Sequence, residues 1–298
     1  RQTFSAACTV AKKGGGMRYV SPLDGVSVRE SDSVPAVESP VRSGSGWQAN
    51  NVECALQAEG VGEFHVCDGD KVTYAPVLGA DRGWVRLWLN SQVLVALLHQ
   101  RKIINFHASS FVYNGLGVLV LGETGAGKSS LTLAFALRNG GFLTDDITPV
   151  IFAGSGPCIM PLNRKVKIRK DTAEKLGIDF SLLSDAESGT GKLYFRPEPF
   201  QTEPYPLNLI IQITTGHNHK TALTCPPAPE RFSLLRSEVC SWEILAGMPE
   251  TEKAYLEQLV RIVEKTTFIR ARRSPETELN NFYEAVREEI LNQSLKPH

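Results

Sequence analysis

Residues 122–129 read Gly-Glu-Thr-Gly-Ala-Gly-Lys-Ser and match G-x-x-x-x-G-K-[ST] in full. This stretch constrains the fold more than any other, because it works only between a strand and a helix. Both neighbours are present in the pattern. Residues 117–121, Gly-Val-Leu-Val-Leu, are a short apolar run of the kind buried strands show. Residues 129–138 have helical character and are stopped by Gly140-Gly141. Residues 142–147 predict the next strand, so the chain reads as α/β. The residue types explain the chemistry. Glycines let successive backbone N–H groups turn toward an anion, and the helix N-terminus adds partial positive charge there. Lys128 is placed to reach the terminal phosphates of a nucleotide, and the Ser129 hydroxyl to hold Mg²⁺. Gly122, Glu123, Thr124, Gly125, Ala126, Gly127, Lys128, Ser129 and Ser130 make up the expected phosphate cradle.

Asp145 and Asp146 lie 17 and 18 residues past Lys128, at the end of the predicted strand 142–147. In a parallel sheet they would reach the carboxyl edge beside the loop. One carboxylate can support Mg²⁺ while the other takes a proton from an attacking hydroxyl. Neighbouring residues on a regular strand face opposite ways, so the two roles need a local bend. The plainer alternative is one metal-supporting Asp beside a turn Asp. His107 stands 15 residues before Gly122, and on residue type alone a lone His is more often structural. Positive charge for a transferring phosphate could come from Arg164, Lys165, Lys167, Lys192, Arg196 or Arg236. Lys192 and Arg196 are the favoured substrate contacts, because they follow the loop-like Ser188-Gly189-Thr190-Gly191. Ordinary surface charge is the alternative. His217 and His219 show no further ligands that would make a metal site.

The rest of the chain divides by composition. Residues 1–16 end in Lys-Lys-Gly-Gly-Gly before Met17 and read as a tag, leader or tethered peptide. Residues 17–50 are rich in Ser, Pro and Gly and read as flexible or loosely ordered. Residues 51–106 read as a small β-rich N-terminal lobe. It holds strands at 52–59 and 62–66, a turn at Asp68-Gly69, a return over 71–76 and one amphipathic helix over 81–100. Residues 107–298 read as the catalytic domain, with a buried strand at 207–214 and amphipathic helices at 250–265 and 277–292. Lys plus Arg and Asp plus Glu both number 32, so the formal charge is zero and bulk positive charge toward nucleic acid is excluded. No apolar run approaches the ~20 residues of a membrane span. The six cysteines are scattered without a paired motif, as expected of reduced thiols in the cytoplasm.

The succession of His107, apolar strand, phosphate loop and Asp145-Asp146, over residues 107–146, resembles the catalytic core of the HPr serine kinase/phosphorylase family. That family shares its P-loop fold with phosphoenolpyruvate carboxykinase. The stretch from Arg86-Leu87 through Leu97-Leu98-His99-Gln100 into His107-Ala108-Ser109 is similar to HPr-kinase-related proteins found beside peptide natural-product genes. These include kinases of lasso-peptide precursors. The resemblance implies a PEP carboxykinase-like P-loop kinase core with a helical C-terminal part, and ATP and Mg²⁺ as cofactors. It implies phosphoryl transfer to a serine hydroxyl of a peptide or small protein, with neither nucleic acid nor membrane as partner. Family members often form rings, so a homo-oligomer is compatible with it. By the same resemblance Asp145 acts as base, Asp146 supports the metal and His107 sits near the base. Bifunctional family members carry an acidic residue directly after the P-loop Ser and an Arg-Gly stretch. This chain has Ser130 at the first place and Pro-Tyr-Pro-Leu-Asn-Leu at 204–209 in the region of the second. The resemblance therefore points to a dedicated kinase. Two alternatives are a carboxykinase-like enzyme acting on a small oxo-acid and an ATP-binding regulator without transfer.

Overall fold

The computed structural model describes residues 19–154, 156–162, 165–186, 191–216 and 221–294. The expectations for residues 1–16, Arg164, residues 188–190, His217 and His219 lie outside these. The chain forms two compact units. One holds the described residues up to Ile103 together with Ser241–Leu256. The other holds Ile104–Cys240 and the residues from Glu257 onward. The reading of 107–298 as one domain did not separate residues 241–256 from it.

The first unit is built on β1 (Ser27–Glu30), β2 (Arg42–Gly44), β3 (Trp47–Ala49), β4 (Glu53–Ala58), β5 (Gly62–Cys67) and β6 (Lys71–Pro76). They form one sheet in the order β1-β6-β5-β4-β3-β2. Every neighbouring pair is antiparallel except β1 and β6, which run parallel. The β5–β6 turn closes through Asp70 N–H to Cys67 O at 3.2 Å, with Asp68 and Gly69 both at positive φ. Asp and Gly are the residues that tolerate that geometry.

Two expectations change in this unit. The stretch read as loosely packed supplies three strands, and Leu23, Val26, Val37 and Ala49 are buried. Its apolar residues come singly and its strands are short, so periodicity had nothing to register. The single helix over 81–100 is two helices, α1 (Arg82–Asn90) and α2 (Gln92–Gln100). The break is Ser91, whose hydroxyl donates to Leu87 O at 2.7 Å and whose backbone leaves the helical region. Side-chain hydroxyls that bond nearby carbonyls compete with helix continuation in this way. α1 starts on Asp81, which accepts from Gly83 N–H at 2.6 Å.

The second unit runs β7 (Ile104–Phe106), β8 (Ser109–Tyr113), β9 (Leu116–Gly122), α3 (Lys128–Ala136), β10 (Gly141–Thr144), β11 (Thr148–Ala153) and β12 (Gly156–Ile159). It continues with β13 (Val166–Ile168), α4 (Lys170–Lys175), β14 (Ser184–Asp185), β15 (Leu193–Phe195), β16 (Tyr205–Thr215), β17 (Ala222–Thr224) and α5 (Ala228–Ser237). The last elements are α6 (Pro249–Lys265), whose residues up to Leu256 belong to the first unit, β18 (Thr267–Arg273) and α7 (Leu279–Ser294). The principal sheet has the order β10-β8-β9-β16-β12-β11-β7, with β18 pairing β16 and β17 pairing β18. It is mixed rather than parallel. β9, β16 and β18 are parallel neighbours. β8 is antiparallel to both β9 and β10. β9 and β10 therefore point the same way and end on the same edge, which keeps the acidic pair beside the loop although β8 lies between.

α3 and α7 cover one face of this sheet. Leu131, Ala134 and Phe135 of α3 and Phe282, Val286 and Ile290 of α7 pack with Val118, Val120, Leu209, Ile211 and Ile213. Phe135 lies flat on Phe111 at 4.5 Å between ring centres. The opposite side of α3, with Leu133 and Ala136, packs on Val166, Ile168 and Phe195. Those residues belong to a small sheet, β13-β15-β14. Asn139 takes positive φ after α3, and the Gly140 N–H bonds Phe135 O at 3.0 Å. A Cβ at Gly140 would come within 2.5 Å of that carbonyl, which explains a glycine at the helix stop.

Candidate functional site

The site lies in the second unit, where β9, α3 and β10 meet. β9 is buried along its whole length and delivers Gly122 to the sheet edge. Gly122, Gly125 and Gly127 all have positive φ. A Cβ on Gly122 would meet Ile213 O at 2.6 Å, so the loop can leave the sheet there only with a glycine. Glu123, Thr124 and Gly125 are exposed, Ala126 is buried, and Gly127 caps α3. Lys128 is buried and folds back to donate from Nζ to Gly122 O at 2.6 Å. Burial pushes its pKa down, opposed by the negative charges of Glu238, Asp145 and Asp146. Ser129 and Ser130 open the helix, half-buried.

The two carboxylates have opposite surroundings. Asp145 is buried, and its Oδ1 accepts from the Ser129 hydroxyl at 2.9 Å and from the Ser109 hydroxyl of β8. The backbone of Lys167 on β13 also bonds it. Burial pushes its pKa up to about 6, with the Asp146 charge adding to the rise and the two serine hydroxyls opposing it. Asp146 has φ +73 and is about half exposed. Its Oδ1 lies 3.5 Å from His107 Nδ1. The bend that the adjacent pair needs is therefore present: β10 stops at Thr144, and Asp146 turns its side chain away from that of Asp145. His107 has its pKa pushed down by burial and by the charge of Lys128, while Asp146 pulls it up. Its backbone N–H is held by Glu238 O at 2.8 Å, and Cys240 N–H bonds Asn105 O at 3.1 Å. The segment after α5 thus pins the His107 turn.

Of the basic residues, Lys192 at the entry to β15 is near enough for its charge to lower the His107 pKa. Lys165 and Lys167 set their ammonium groups over the Tyr194 ring, at 5.2 and 5.6 Å. Arg196 is exposed just past β15, and Arg236 is exposed on α5.

Two residues of the site had no signal in sequence reasoning. Glu238 accepts from the Gly122 backbone and faces Lys128 and Glu123, and burial raises its pKa. It sits more than 90 residues beyond the acidic pair, with no motif around it. Arg273, the last residue of β18, places its guanidinium against Gly127. A Cβ built there would lie 3.5 Å from its Nη2.

The donors fit a nucleotide and Mg²⁺. A glycine cradle and a helix N-terminus suit phosphate. The oxygens of Ser129 and Asp145 are hard donors on one side of the loop. Among the described residues no group of three or more His, Cys, Asp and Glu side chains could hold a metal alone.

The fold and this site define a mixed α/β protein with a strand–glycine loop–helix phosphate cradle and a carboxylate pair at its mouth. No family model matches the chain, and no curated protein matches it. Among solved structures, the HPr(Ser) kinase/phosphatase from Coxiella burnetii is similar over 64% of this chain and 98% of its own, at 13% identity and a TM-score of 0.34. A likeness at that level bears no weight for function. Among the described residues no helix is long and apolar enough to cross a membrane.

Proposed function

We propose that the chain is a phosphotransferase with an HPr-kinase-like, PEP carboxykinase-like P-loop core. It would transfer the terminal phosphoryl group of ATP to a serine hydroxyl of a peptide or small protein, a natural-product precursor peptide among the acceptors. The reading is carried by one observation: the P-loop hydroxyl of Ser129 bonds a buried carboxylate, Asp145, while the next carboxylate, Asp146, turns outward beside His107. The same observation favours exchanging the roles that the resemblance implied. Asp145, on the Ser129 hydroxyl, is the metal-supporting carboxylate. Asp146, exposed and bent toward His107, is the base.

Mg²⁺ held by Ser129 and Asp145 would neutralise charge on the β- and γ-phosphates. Lys128, released from Gly122 O, binds those phosphates. The acceptor hydroxyl attacks the γ-phosphorus, its proton passes to Asp146, and the bond between the γ-phosphorus and the bridging oxygen breaks to leave ADP. His107 is neutral near pH 7 because its pKa lies below the ordinary value, and so it orients Asp146 without cancelling its charge. Lys192 is the cation on the acceptor side. Incubation with radiolabelled ATP, Mg²⁺ and serine peptides tests this. Asp146→Asn should lower transfer by about 10²–10⁴-fold while nucleotide binding persists. Transfer by Asp146→Asn at the wild-type rate would defeat the assignment.

A further inference from the structure

Arg273 is the feature of the second unit that the transfer scheme leaves idle. Its Nε is buried and has no hydrogen-bond partner among the described residues. Its guanidinium packs between the Phe282 ring, 5.4 Å from the ring centre, and the backbone at Gly127. Burial lowers its pKa, and among the described residues no carboxylate pairs with it. Most other buried or half-buried arginines of this unit have a partner. Arg270, for example, pairs with Glu230 at 2.5 Å and with Gln212 at 2.8 Å.

The placement is electrostatically unfavourable by itself. Gly127 is the cap of α3, so Arg273 faces the positive end of a helix dipole, close to the loop that also carries Lys128. A cation held there with no counter-charge among the described residues gains when an anion arrives. The motif puts the Lys128 ammonium on the β- and γ-phosphates, and the backbone N–H groups of the cradle on the α- and β-phosphates. Arg273 adjoins the helix end of that cradle.

We infer that Arg273 is a nucleotide-binding residue that engages the α-phosphate, the part of the nucleotide that is not transferred. The inference rests on the phosphotransferase reading and adds a residue that sets nucleotide affinity without taking part in the chemistry. A planar fork held over the Phe282 ring is pre-organised for phosphate oxygens. Its loss should therefore appear in binding and KM, and not in kcat at saturating ATP.

Calorimetric titration with ADP and with AMP provides the test, on wild type, Arg273→Met and Arg273→Lys. Met preserves contact with Phe282 and removes the charge. The expected result is a fall in ADP and AMP affinity of about tenfold or more in Arg273→Met, a smaller fall in Arg273→Lys, and kcat within about threefold of wild type. Phenylglyoxal labelling of the wild type, read by peptide mass, supplies a measurement that needs no variant: ADP should protect Arg273. ADP affinity unchanged in Arg273→Met, or Arg273 labelled equally with and without ADP, overturns the inference. A wild type that binds neither ADP nor ATP overturns the phosphotransferase reading and this inference together.

Discussion

The two units treat charge differently. In the first, the buried polar side chains are His65, His99 and Thr251, none of which must carry charge at neutral pH. In the second, Lys128 and Asp145 are buried, the only Lys, Arg, Asp or Glu so placed among the described residues, and both belong to one site. Burying an ionisable group is costly unless it is bonded, and the second unit bonds Lys128 to Gly122 O and Asp145 to two serine hydroxyls and the Lys167 backbone. The first unit is thus built for stability. The second gathers a buried ammonium and a buried carboxylate at one sheet edge.

That contrast can be broken at either end. Phe64 lies buried between Tyr74 and Trp88, with ring centres 6.3 and 5.7 Å away. Phe64→Ala should cost about 3–5 kcal/mol of stability in a denaturant melt. Nucleotide affinity of the molecules that remain folded should stay at the wild-type value. A change in affinity without a change in stability would erase the distinction between the units.

Lys128→Met should act in the opposite sense. Transfer should fall about 10²–10³-fold in a single-turnover assay, with the thermal midpoint of the ligand-free protein equal to or above that of wild type. A large loss of stability would mean that the buried ammonium is structural.

Asp145→Asn is the smallest effect and the sharpest. The folded pKa of about 6 lies above the ordinary 3.8. Between those values the folded state holds a proton that the unfolded state has lost. Stability is therefore fully present below about pH 4 and declines as pH rises through 6. At pH 7.5 the amide should stabilise the ligand-free protein by on the order of 1–3 kcal/mol, and at pH 3.5 it should change little. Equal midpoints for the two proteins at pH 7.5 would show that the serine hydroxyls already compensate the carboxylate.

Much of the second unit could be read from the sequence because its signals are local. The apolar run before Gly122, the loop itself and the following helix are contiguous, and β9 and α3 lie where the pattern put them. The Asp68-Gly69 turn and the strands on either side of it were equally plain. Long-range features were not legible. Nothing near Glu238 or Arg273 marks them, because the topology brings them to the loop through α5 and β18. The environments of Asp145 and Asp146 were also hidden, since the positive φ of Asp146 is a tertiary outcome. The strands over residues 27–49 are short and half exposed, so composition suggested looseness where pairing supplies order.

The register of β18 on β16 has a consequence for synthesis. Arg273 reaches Gly127 only after β18 has paired along Leu209 to Thr215, and 146 residues separate the two (273 − 127). At about 5–20 residues per second the ribosome takes roughly 7–30 s to cover that distance. β16 is complete at Thr215, so for the last 58 residues of that distance (273 − 215), about 3–12 s, its β18-pairing edge exists without the strand that closes it. A nascent chain of this protein therefore carries an exposed parallel edge for seconds, which makes chaperone demand a property of its topology.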